Sequence, residues 1–287
     1  MADPRRKVPE NIKGEFFVDR TCIDCDTCRQ LAPEVFAEST QYSYVHAQPQ
    51  DADQRRAAIR ALLACPVGSI GTVHHVDAKS VMPDFPIPVE GPIYYCGFNS
   101  PKSYGGSSYF IRHPDGNWLV DSPRFVGHLA RRFEEMGGIR YIFLTHRDDV
   151  AEAAAYAHKF GSTRIIHRDD LSAQPDAECV IEGADAVQML PDFKIIPTPG
   201  HSPGHCVLLF AGRYLFTGDH LWWRPDGHIL DAWRLACWHS WTEQTASMQR
   251  LLDESFEWVL PGHGNRICLP RDAMREQLQA LVERMQR

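Results

Sequence analysis

Runs of apolar and polar residues predict two regions with different patterns of secondary structure. In the first, short β-like runs at residues 15–18, 42–46 and 70–76 surround a helix predicted at 51–64. That helix begins at an acidic residue, carries one apolar stripe and ends at a Cys-Pro pair, which is typical of an amphipathic helix in a globular domain. The pattern predicts a small domain over residues 1–80.

A proline-rich stretch separates this region from the rest of the chain. Residues 82–92 contain four prolines, a composition too stiff for a helix and unsuited to a central strand, so residues 81–92 are predicted to be a linker. Over residues 93–287, strand patterns and amphipathic helix patterns follow one another. The predicted strands are 93–98, 107–111, 118–121, 141–144, 193–196 and 214–217, and the predicted helices are 125–136, 150–160, 242–255 and 271–286.

Length and composition narrow the class of protein. At 287 residues, the chain is long enough for two domains, each able to bury a core. Its net charge of −7 argues against binding to a nucleic-acid backbone. No apolar run approaches the length of a membrane span, and the first residues lack the apolar stretch of a signal peptide. We therefore expect a cytoplasmic protein that acts on a small molecule, with neither nucleic acid nor membrane as a partner.

Three cysteines are crowded into one short loop, Cys22-x-x-Cys25-x-x-Cys28, and a fourth, Cys65, follows the helix of the first region. Three thiolates from a tight loop and one from a distant segment can enclose a cubane cluster. The stretch resembles single-cluster bacterial-type ferredoxins, including Ala32-Pro-Glu-Val-Phe36 after the loop. The resemblance implies one [4Fe-4S] cluster held by these four cysteines, and a structural zinc site is the alternative. The remaining cysteines are predicted to be buried small hydrophobes: Cys96, Cys179, Cys206, Cys237 and Cys268.

Each of four residues of metal-ligand type follows an apolar run that predicts a strand. They are His146, His201, Asp219 and His263, and the second lies in the loop Thr198-Pro-Gly-His-Ser-Pro-Gly-His205. Because side chains at these strand ends leave towards one rim, we expect them to meet where a metal ion could bind.

The order of these motifs resembles that of the metallo-β-lactamase superfamily over residues 93–287. The resemblance implies a four-layer αββα sandwich that binds metal at the open edge between its sheets. The predicted fold class is therefore α+β, with a small ferredoxin-like domain followed by this sandwich. His146, His201 and Asp219 match the three motif positions that hold a single iron in the persulfide dioxygenases of the superfamily. Two imidazoles and one carboxylate suit one Fe(II) ion and leave positions open, and Zn²⁺ is the alternative.

One loop departs from the H-x-H-x-D-H pattern of the superfamily, because it reads H-R-D-D-V-A from His146. Its valine and alanine cannot bind a metal, and a second metal would keep only His263 and Asp219, so one metal is predicted. Asp148 is interpreted as a fourth ligand, an outer-sphere base or, most simply, the cap of the helix that follows. Asp148 and His263 are the predicted catalytic residues that handle protons.

Residues around the predicted metal site are given supporting roles. His205 is predicted to orient the loop that carries His201. His220, next to Asp219 at a strand end, is predicted to point to the opposite face. Five of the seven tryptophans lie between residues 221 and 241, where they are expected to wall a substrate pocket, to contact the first domain or to pack in a core.

The presence of a ferredoxin-like domain beside this metal site favours a redox reaction, since simple hydrolysis moves no electrons. The leading hypothesis is an iron-dependent oxidoreductase whose mononuclear non-haem site takes electrons from the [4Fe-4S] cluster, with an electron-donating reductase as a partner. One alternative is a metal-dependent hydrolase of thioester or lactone substrates, in which the cluster is structural. The other is a non-catalytic redox module with a vestigial metal pocket.

Overall fold

The computed structural model describes residues 2–287, which form two compact units. The first unit runs to Asn117 and includes Ser122–Gly138, and the second consists of Trp118–Asp121 and Ile139–Arg287. Helices and strands are mixed throughout, which confirms the predicted α+β class. The compact units are divided differently from the predicted domains 1–80 and 93–287, and those boundaries stay a prediction. Among the described residues, no helix combines the length and the apolar character needed to cross a bilayer.

The first unit begins with short elements around the cysteine loop. These are β1 (Phe16–Val18), α1 (Thr27–Leu31), β2 (Phe36–Glu38), β3 (Ser43–Val45), α2 (Ala52–Ala64) and β4 (Ile70–Thr72). Strand β1 pairs antiparallel with β4, and β2 pairs antiparallel with β3. Helix α2 confirms the predicted helix, and its start is fixed by Asp51, whose carboxylate accepts a hydrogen bond from the Gln54 N–H at 2.8 Å. Its apolar side packs into a small core with residues of β1, β2 and β3.

The rest of the first unit is an antiparallel ribbon and one helix. The elements are β5 (Ile87–Glu90), β6 (Ile93–Tyr95), β7 (Tyr109–Ile111) and α3 (Gly127–Glu135). Strand β6 pairs with both β5 and β7. The stretch predicted to be a linker therefore contains a strand, and the β5–β6 register shifts between Pro88 and Glu90, as expected where a proline cannot donate to the ladder.

The second unit contains two sheets. The first sheet is parallel and consists of β8 (Trp118–Val120), β9 (Tyr141–Phe143), β10 (Thr163–His167) and β11 (Cys179–Ile181), with α4 (Ala153–Phe160) between β9 and β10. The second sheet has the order β12 (Val187–Leu190), β13 (Phe193–Pro197), β14 (Cys206–Phe210), β15 (Tyr214–Gly218), β18 (Trp258–Pro261) and β19 (Ile267–Cys268). The hairpin β16 (Trp222–Arg224) and β17 (Ile229–Asp231) lies between β15 and β18 in the chain, followed by α5 (Trp241–Arg250), while α6 (Arg271–Met285) comes last.

The two sheets of the second unit pack face to face, with helices on their outer sides. Trp118 on β8 stacks on Phe193 on β13, with ring centroids 4.2 Å apart. Helix α4 packs against β10, and the apolar sides of α5 and α6 share a core with the second sheet. This is the αββα layering that the superfamily resemblance implies, and it leaves the ends of β9, β13, β15 and β18 to carry the predicted metal ligands.

Candidate metal centres

The four predicted cluster cysteines line one enclosed pocket of the first unit. Cys22 and Cys25 lie in the loop before α1, Cys28 lies in α1, and Cys65 caps the C-terminus of α2. The two aspartates of the loop have left-handed φ angles of 58° and 59°, which wrap the chain tightly around the pocket. Helix α2 thus delivers the fourth thiol to the other three, as the sequence predicts.

Burial opposes ionisation of the thiols in this pocket. Burial raises the pKa of the Cys25 thiol to about 12 and also raises the pKa of Cys22 and Cys28. Because the thiolate is the form that binds metal, bound iron has to supply the positive charge that stabilises it here.

The sulfur atoms also have polar neighbours at hydrogen-bond distance. The Asp24 N–H donates to Cys22 Sγ at 3.4 Å, and hydroxyls lie 3.4 Å from Cys25 Sγ and Cys65 Sγ. Hydrogen bonds to sulfur are one of the means by which proteins tune iron–sulfur clusters. The four thiols, their enclosure and these neighbours fit a [4Fe-4S] cluster.

The second unit brings His146, His201 and Asp219 together at the ends of β9, β13 and β15. The nitrogen that each imidazole offers and one carboxylate oxygen lie within 4.8 Å of one another. Asp219 Oδ2 is 3.8 Å from both His146 Nε2 and His201 Nε2. With bond lengths of about 2.0–2.2 Å, two ligands of one ion lie at most roughly 4.4 Å apart, so these separations fit a shared ion.

Two of the atoms that face the centre of this group lack hydrogen-bond partners. His146 Nε2 and His201 Nε2 are buried, have no hydrogen-bond partner among the described residues and each lie 3.8 Å from Asp219 Oδ2. A buried polar atom left in that state costs about 1–3 kcal/mol, a cost that a bound cation removes. The group therefore has the chemistry of a preformed ligand set, and its residues fit one metal ion.

A buried relay fixes the orientation of His146. Thr145 Oγ1 lies 2.9 Å from His146 Nδ1 and donates to the Asp121 carboxylate at 3.0 Å. Because the Thr145 hydroxyl donates its single proton to Asp121, it accepts a hydrogen bond from the Nδ1–H of His146. The lone pair of His146 Nε2 is then available to a metal. Burial raises the pKa of Asp121 to about 8, although the hydrogen bonds from Thr145 act to lower it.

Asp170 joins the loops that carry the two histidines, a role that sequence reasoning missed. Its Oδ2 accepts from the Arg147 N–H at 3.1 Å and from the Ser202 hydroxyl. Asp170 is fully buried in the 3₁₀ turn after β10. Since it lies outside every motif, only the fold brings it beside the group.

The two imidazoles have opposite pKa shifts. Burial lowers the pKa of His146 to about 4, although Asp219 opposes the change. Burial also acts to lower the pKa of His201, but its interaction with Asp148, whose Oδ2 lies 3.6 Å away, and the charge of Asp219 outweigh burial, so this pKa is raised. At Asp219, burial opposes ionisation, yet the charges of His263 and the two imidazoles lower its pKa.

Asp148 does not cap a helix, so that interpretation is wrong. Helix α4 begins at Ala153, after the N-cap position Glu152. Asp148 Oδ2 lies instead 3.6 Å from His201 Nε2 and 3.9 Å from His146 Nε2. This interaction with His201 lowers the pKa of Asp148, and about half of the Asp148 side chain is exposed. The aspartate that replaces a family histidine thus faces the same point as the three predicted ligands.

Two more polar residues lie around Asp219. His263 Nε2 is 3.8 Å from Asp219 Oδ2. Asp149 is buried with Oδ2 unpartnered among the described residues, and burial together with the charges of Asp219 and Asp121 raises its pKa well above the ordinary value. Asp149 was not assigned a role from the sequence, where the only signal is that it is the second aspartate of the H-R-D-D loop.

Close packing behind the group depends on His205 and a glycine. His205 Nδ1 lies 2.9 Å from Thr198 Oγ1, which supports its predicted role in shaping the His201 loop. Gly218, at the end of β15, has φ +48°, and a Cβ there would lie 2.6 Å from Thr145 Oγ1 and 2.8 Å from His205 Nε2. A larger residue would push Asp219 away from its partners. His220 is buried, stacks on His205 and lies outside the ligand group.

A cavity of about 520 Å³ opens beside the group. Its lining consists of Arg147, Asp148, His201, Ser202, Pro203, Trp238 and His239. Backbone N–H groups of Trp238 and His239 donate to the His201 carbonyl at 3.1 and 3.2 Å, which ties the tryptophan loop to the ligand loop. Trp238 is 72% exposed and its ring lies 6.5 Å from that of His201, so it can still contact another molecule.

The other tryptophans and cysteines divide between core and surface. Trp223 and Trp241 pack against the core of the second unit, whereas Trp233 is exposed. Cys96 and Cys206 are buried, as predicted. The prediction is wrong for Cys268, which is exposed on the short strand β19, and Cys179 and Cys237 are only partly buried.

Family models match both regions of the chain. Residues 103–263 match the metallo-beta-lactamase superfamily, and residues 18–72 match the 4Fe-4S single cluster domain of ferredoxin I. The first match covers more than half of the chain. The protein therefore belongs to the metallo-beta-lactamase superfamily, and the 4Fe-4S single-cluster domain precedes its superfamily region.

Individual relatives are distant. The chain is 26% identical over 202 residues to the beta-lactamase-like protein 2 homolog of Drosophila melanogaster, covering 61% of this chain and 64% of that protein. It is 24% identical over 132 residues to the hydroxyacylglutathione hydrolase of Acidiphilium cryptum, covering 45% of this chain and 51% of that protein. The chain thus spans less than two thirds of the length of these relatives. The crystal structure of ETHE1 from Myxococcus xanthus superposes with a TM-score of 0.50 at 18% identity, covering 67% of this chain and 89% of that one, a likeness of fold.

Proposed function

We propose that the protein is an iron-dependent oxidoreductase. Its mononuclear non-haem site consists of His146, His201 and Asp219, and its electrons come from a [4Fe-4S] cluster on the four cysteines. The observation that carries the proposal is the donor set, in which two buried imidazole nitrogens without a hydrogen-bond partner each lie 3.8 Å from one carboxylate oxygen of Asp219. Two histidines and one carboxylate suit Fe(II), which supplies open positions for substrate and oxygen when bound.

The cluster domain supports a redox reaction in preference to hydrolysis. A hydrolase changes no oxidation state, whereas iron–sulfur clusters carry electrons over a wide range of potentials. A reductase that reduces the cluster is therefore part of the proposal.

The chain's own residues have defined roles in this proposal. Asp148, with its lowered pKa and half-exposed side chain, is ionised near neutral pH and accepts a proton from a molecule in the cavity or binds the metal as a fourth ligand. His263 acts through Asp219, to which it is 3.8 Å distant. The substrate is a small molecule whose apolar part packs on Trp238 and whose anionic part faces Arg147.

The test begins with anaerobic purification and metal quantification of the wild type and of Asp219→Asn. We expect iron beyond that of the cluster in the wild type, and loss of this extra iron with the cluster retained in the variant. Reoxidation by O₂ after dithionite reduction should be slower in the variant. Zinc at the second site, together with identical reoxidation of both proteins, would contradict the proposal.

A second candidate is a zinc-dependent hydrolase, favoured by the similarity to a hydroxyacylglutathione hydrolase. A zinc ion lowers the pKa of its bound water, and Asp148 would accept the proton. Thioester hydrolysis by the wild type that persists in a cluster-free Cys65→Ser variant would favour this candidate. A vestigial pocket is harder to reconcile with imidazole nitrogens that stay buried and unpartnered.

A further inference from the structure

We propose that residues 99–106, which lie outside the predicted cluster domain and outside the region that matches the ferredoxin model, complete the cluster-binding site. This 99–106 loop belongs to the first unit and connects β6 to β7. It contacts both arms of the cysteine set, which are the loop that carries Cys22, Cys25 and Cys28 and the segment that carries Cys65. The inference requires a cluster on the four cysteines and does not depend on the reaction at the second site.

Asn99 is the residue that contacts both arms. Its backbone N–H donates to the Ala64 carbonyl at 3.1 Å, directly before Cys65. Its side-chain NH₂ donates to Thr27 Oγ1 at 3.0 Å, and that hydroxyl lies 3.4 Å from Cys25 Sγ. One buried side chain therefore fixes the separation of two cysteine-bearing segments that are far apart in the sequence.

Both the NH₂ group and the carbonyl oxygen of the Asn99 side chain have hydrogen-bond partners. Its NH₂ also donates to the Gly105 carbonyl at 2.6 Å, and its Oδ1 accepts from the Tyr95 hydroxyl at 2.7 Å. Asn99 is fully buried, so removal of its side chain would take one buried hydrogen-bond partner from each of Tyr95, Thr27 and Gly105. The network joins the cluster loop, the 99–106 loop and β6.

Gly105 brings the backbone of the loop against the cysteines. Its φ is +88°, and a Cβ there would lie 2.7 Å from Cys25 Cβ and 2.9 Å from Cys25 Sγ. Such separations are not tolerated, so any side chain at this position would displace Cys25 or the loop. The absence of a side chain is what allows the loop to cover the pocket.

Arg124 adds a charge beside the fourth cysteine. Its guanidinium donates to the Leu63 carbonyl at 3.0 Å and to the Cys65 carbonyl at 3.4 Å, while its backbone N–H donates to the Phe98 carbonyl. Arg124 thus ties the start of the 99–106 loop to the Cys65 arm. A partly buried positive charge here stabilises the more negative, reduced cluster.

The first experiment compares Asn99→Ala with Asn117→Ala. Asn117 is a matched control because its buried amide also bridges backbone groups of the first unit, donating to the Met136 and Gly138 carbonyls, away from the cysteines. We measure the decay of cluster absorbance in air and with a chelator. Loss of a supporting contact should make decay about tenfold faster in Asn99→Ala than in Asn117→Ala. Equal decay rates would overturn the proposal.

A second pair separates collision from backbone strain. Gly105→Ala and Gly183→Ala both place alanine at a positive φ, but no atom lies within 4 Å of the Cβ at Gly183. We expect Gly105→Ala to lose the cluster faster and Gly183→Ala to retain it. Retention by both at the wild-type rate would contradict the role of the loop.

Two readouts do not depend on these variants. In the wild type, removal of the cluster should increase hydrogen exchange at the amides of residues 99–106, and unchanged exchange would overturn the proposal. Arg124→Gln should lower the midpoint potential of the cluster in a redox titration, because the reduced state loses a stabilising charge. A purely structural arginine would leave the potential unchanged.

Discussion

The cysteine pocket of the first unit is enclosed, whereas the group of His146, His201 and Asp219 in the second unit opens to a cavity. The two sites also differ in how burial affects the charge of their ligands. Burial raises the pKa of Cys25 to about 12, so its thiol stays neutral until metal offsets the charge of the thiolate. In the second group, the charges of neighbouring histidines lower the pKa of Asp219 despite its burial. The first arrangement suits a cofactor that stays bound, and the second suits exchange of small molecules.

The largest expected effect is loss of the cluster in Cys65→Ser. A serine hydroxyl is a poor substitute for a thiolate, so cluster absorbance should fall almost completely while metal at the second site remains. The measurement is the visible spectrum with iron quantification. Cys179→Ala is the control, since Cys179 lies outside the pocket. Equal loss in both variants would mean that the pocket does not hold the cluster.

Next in size is the effect of breaking the relay behind His146. Thr145→Val keeps the shape of the side chain but removes the hydroxyl between His146 and Asp121. Metal affinity of the second site should fall by about 10–100-fold, and the cluster should be unaffected. A competition titration with a chelator measures this change. Unaltered affinity would show that the relay does not orient the imidazole.

A smaller effect is expected from pH. The pKa of His201 is raised above the ordinary histidine value of about 6.5, so a proton still competes with metal at that pH. Metal affinity should therefore rise by up to about tenfold per pH unit until the pH exceeds the pKa of His201. His146, with its pKa near 4, adds nothing in this range. Asp148→Asn removes a negative charge that raises the pKa of His201, so the rise in affinity should move to lower pH. An identical profile in this variant would contradict the assignment.

The smallest expected effect concerns the cavity wall. Trp238→Ala removes an aromatic contact worth about 0.5–1.5 kcal/mol, so KM for an apolar substrate should rise about 2–10-fold. The content of both metals should not change, because Trp238 touches the ligand loop through its backbone. Trp238→Phe should restore most of the loss. A change in metal content would show that the loop, and not the ring, matters.

The two sites were predictable from the sequence to different degrees. The four cysteines and the four strand-end residues were found because ligands at fixed offsets from predicted elements leave a local pattern. Asp121 and Asp170 were missed because their proximity to the group depends on which strands are neighbours, whereas Asp149 lies in the loop of His146 and the sequence does not show that it faces Asp219. Asn99 and Gly105 were missed because they lie far in sequence from the cysteine-bearing segments that they contact.

Errors at the element level also had physical causes. The pattern predicts that Asp148 caps a helix, but the helix begins at Ala153, and the Asp148 carboxylate lies 3.6 and 3.9 Å from two imidazole nitrogens. The proline-rich stretch was expected to be a linker, yet it contains β5, since a strand tolerates proline where its ladder is irregular.

The presence of a mononuclear iron site is tested most directly by the iron content of the anaerobically purified wild type and of His201→Ala, measured together with the cluster spectrum. We expect about five irons per chain in the wild type, four in the cluster and one on the second site, and about four in the variant with an unchanged spectrum. About four irons in both proteins, or zinc in place of the fifth iron, would contradict the claim that the second unit carries a mononuclear iron site.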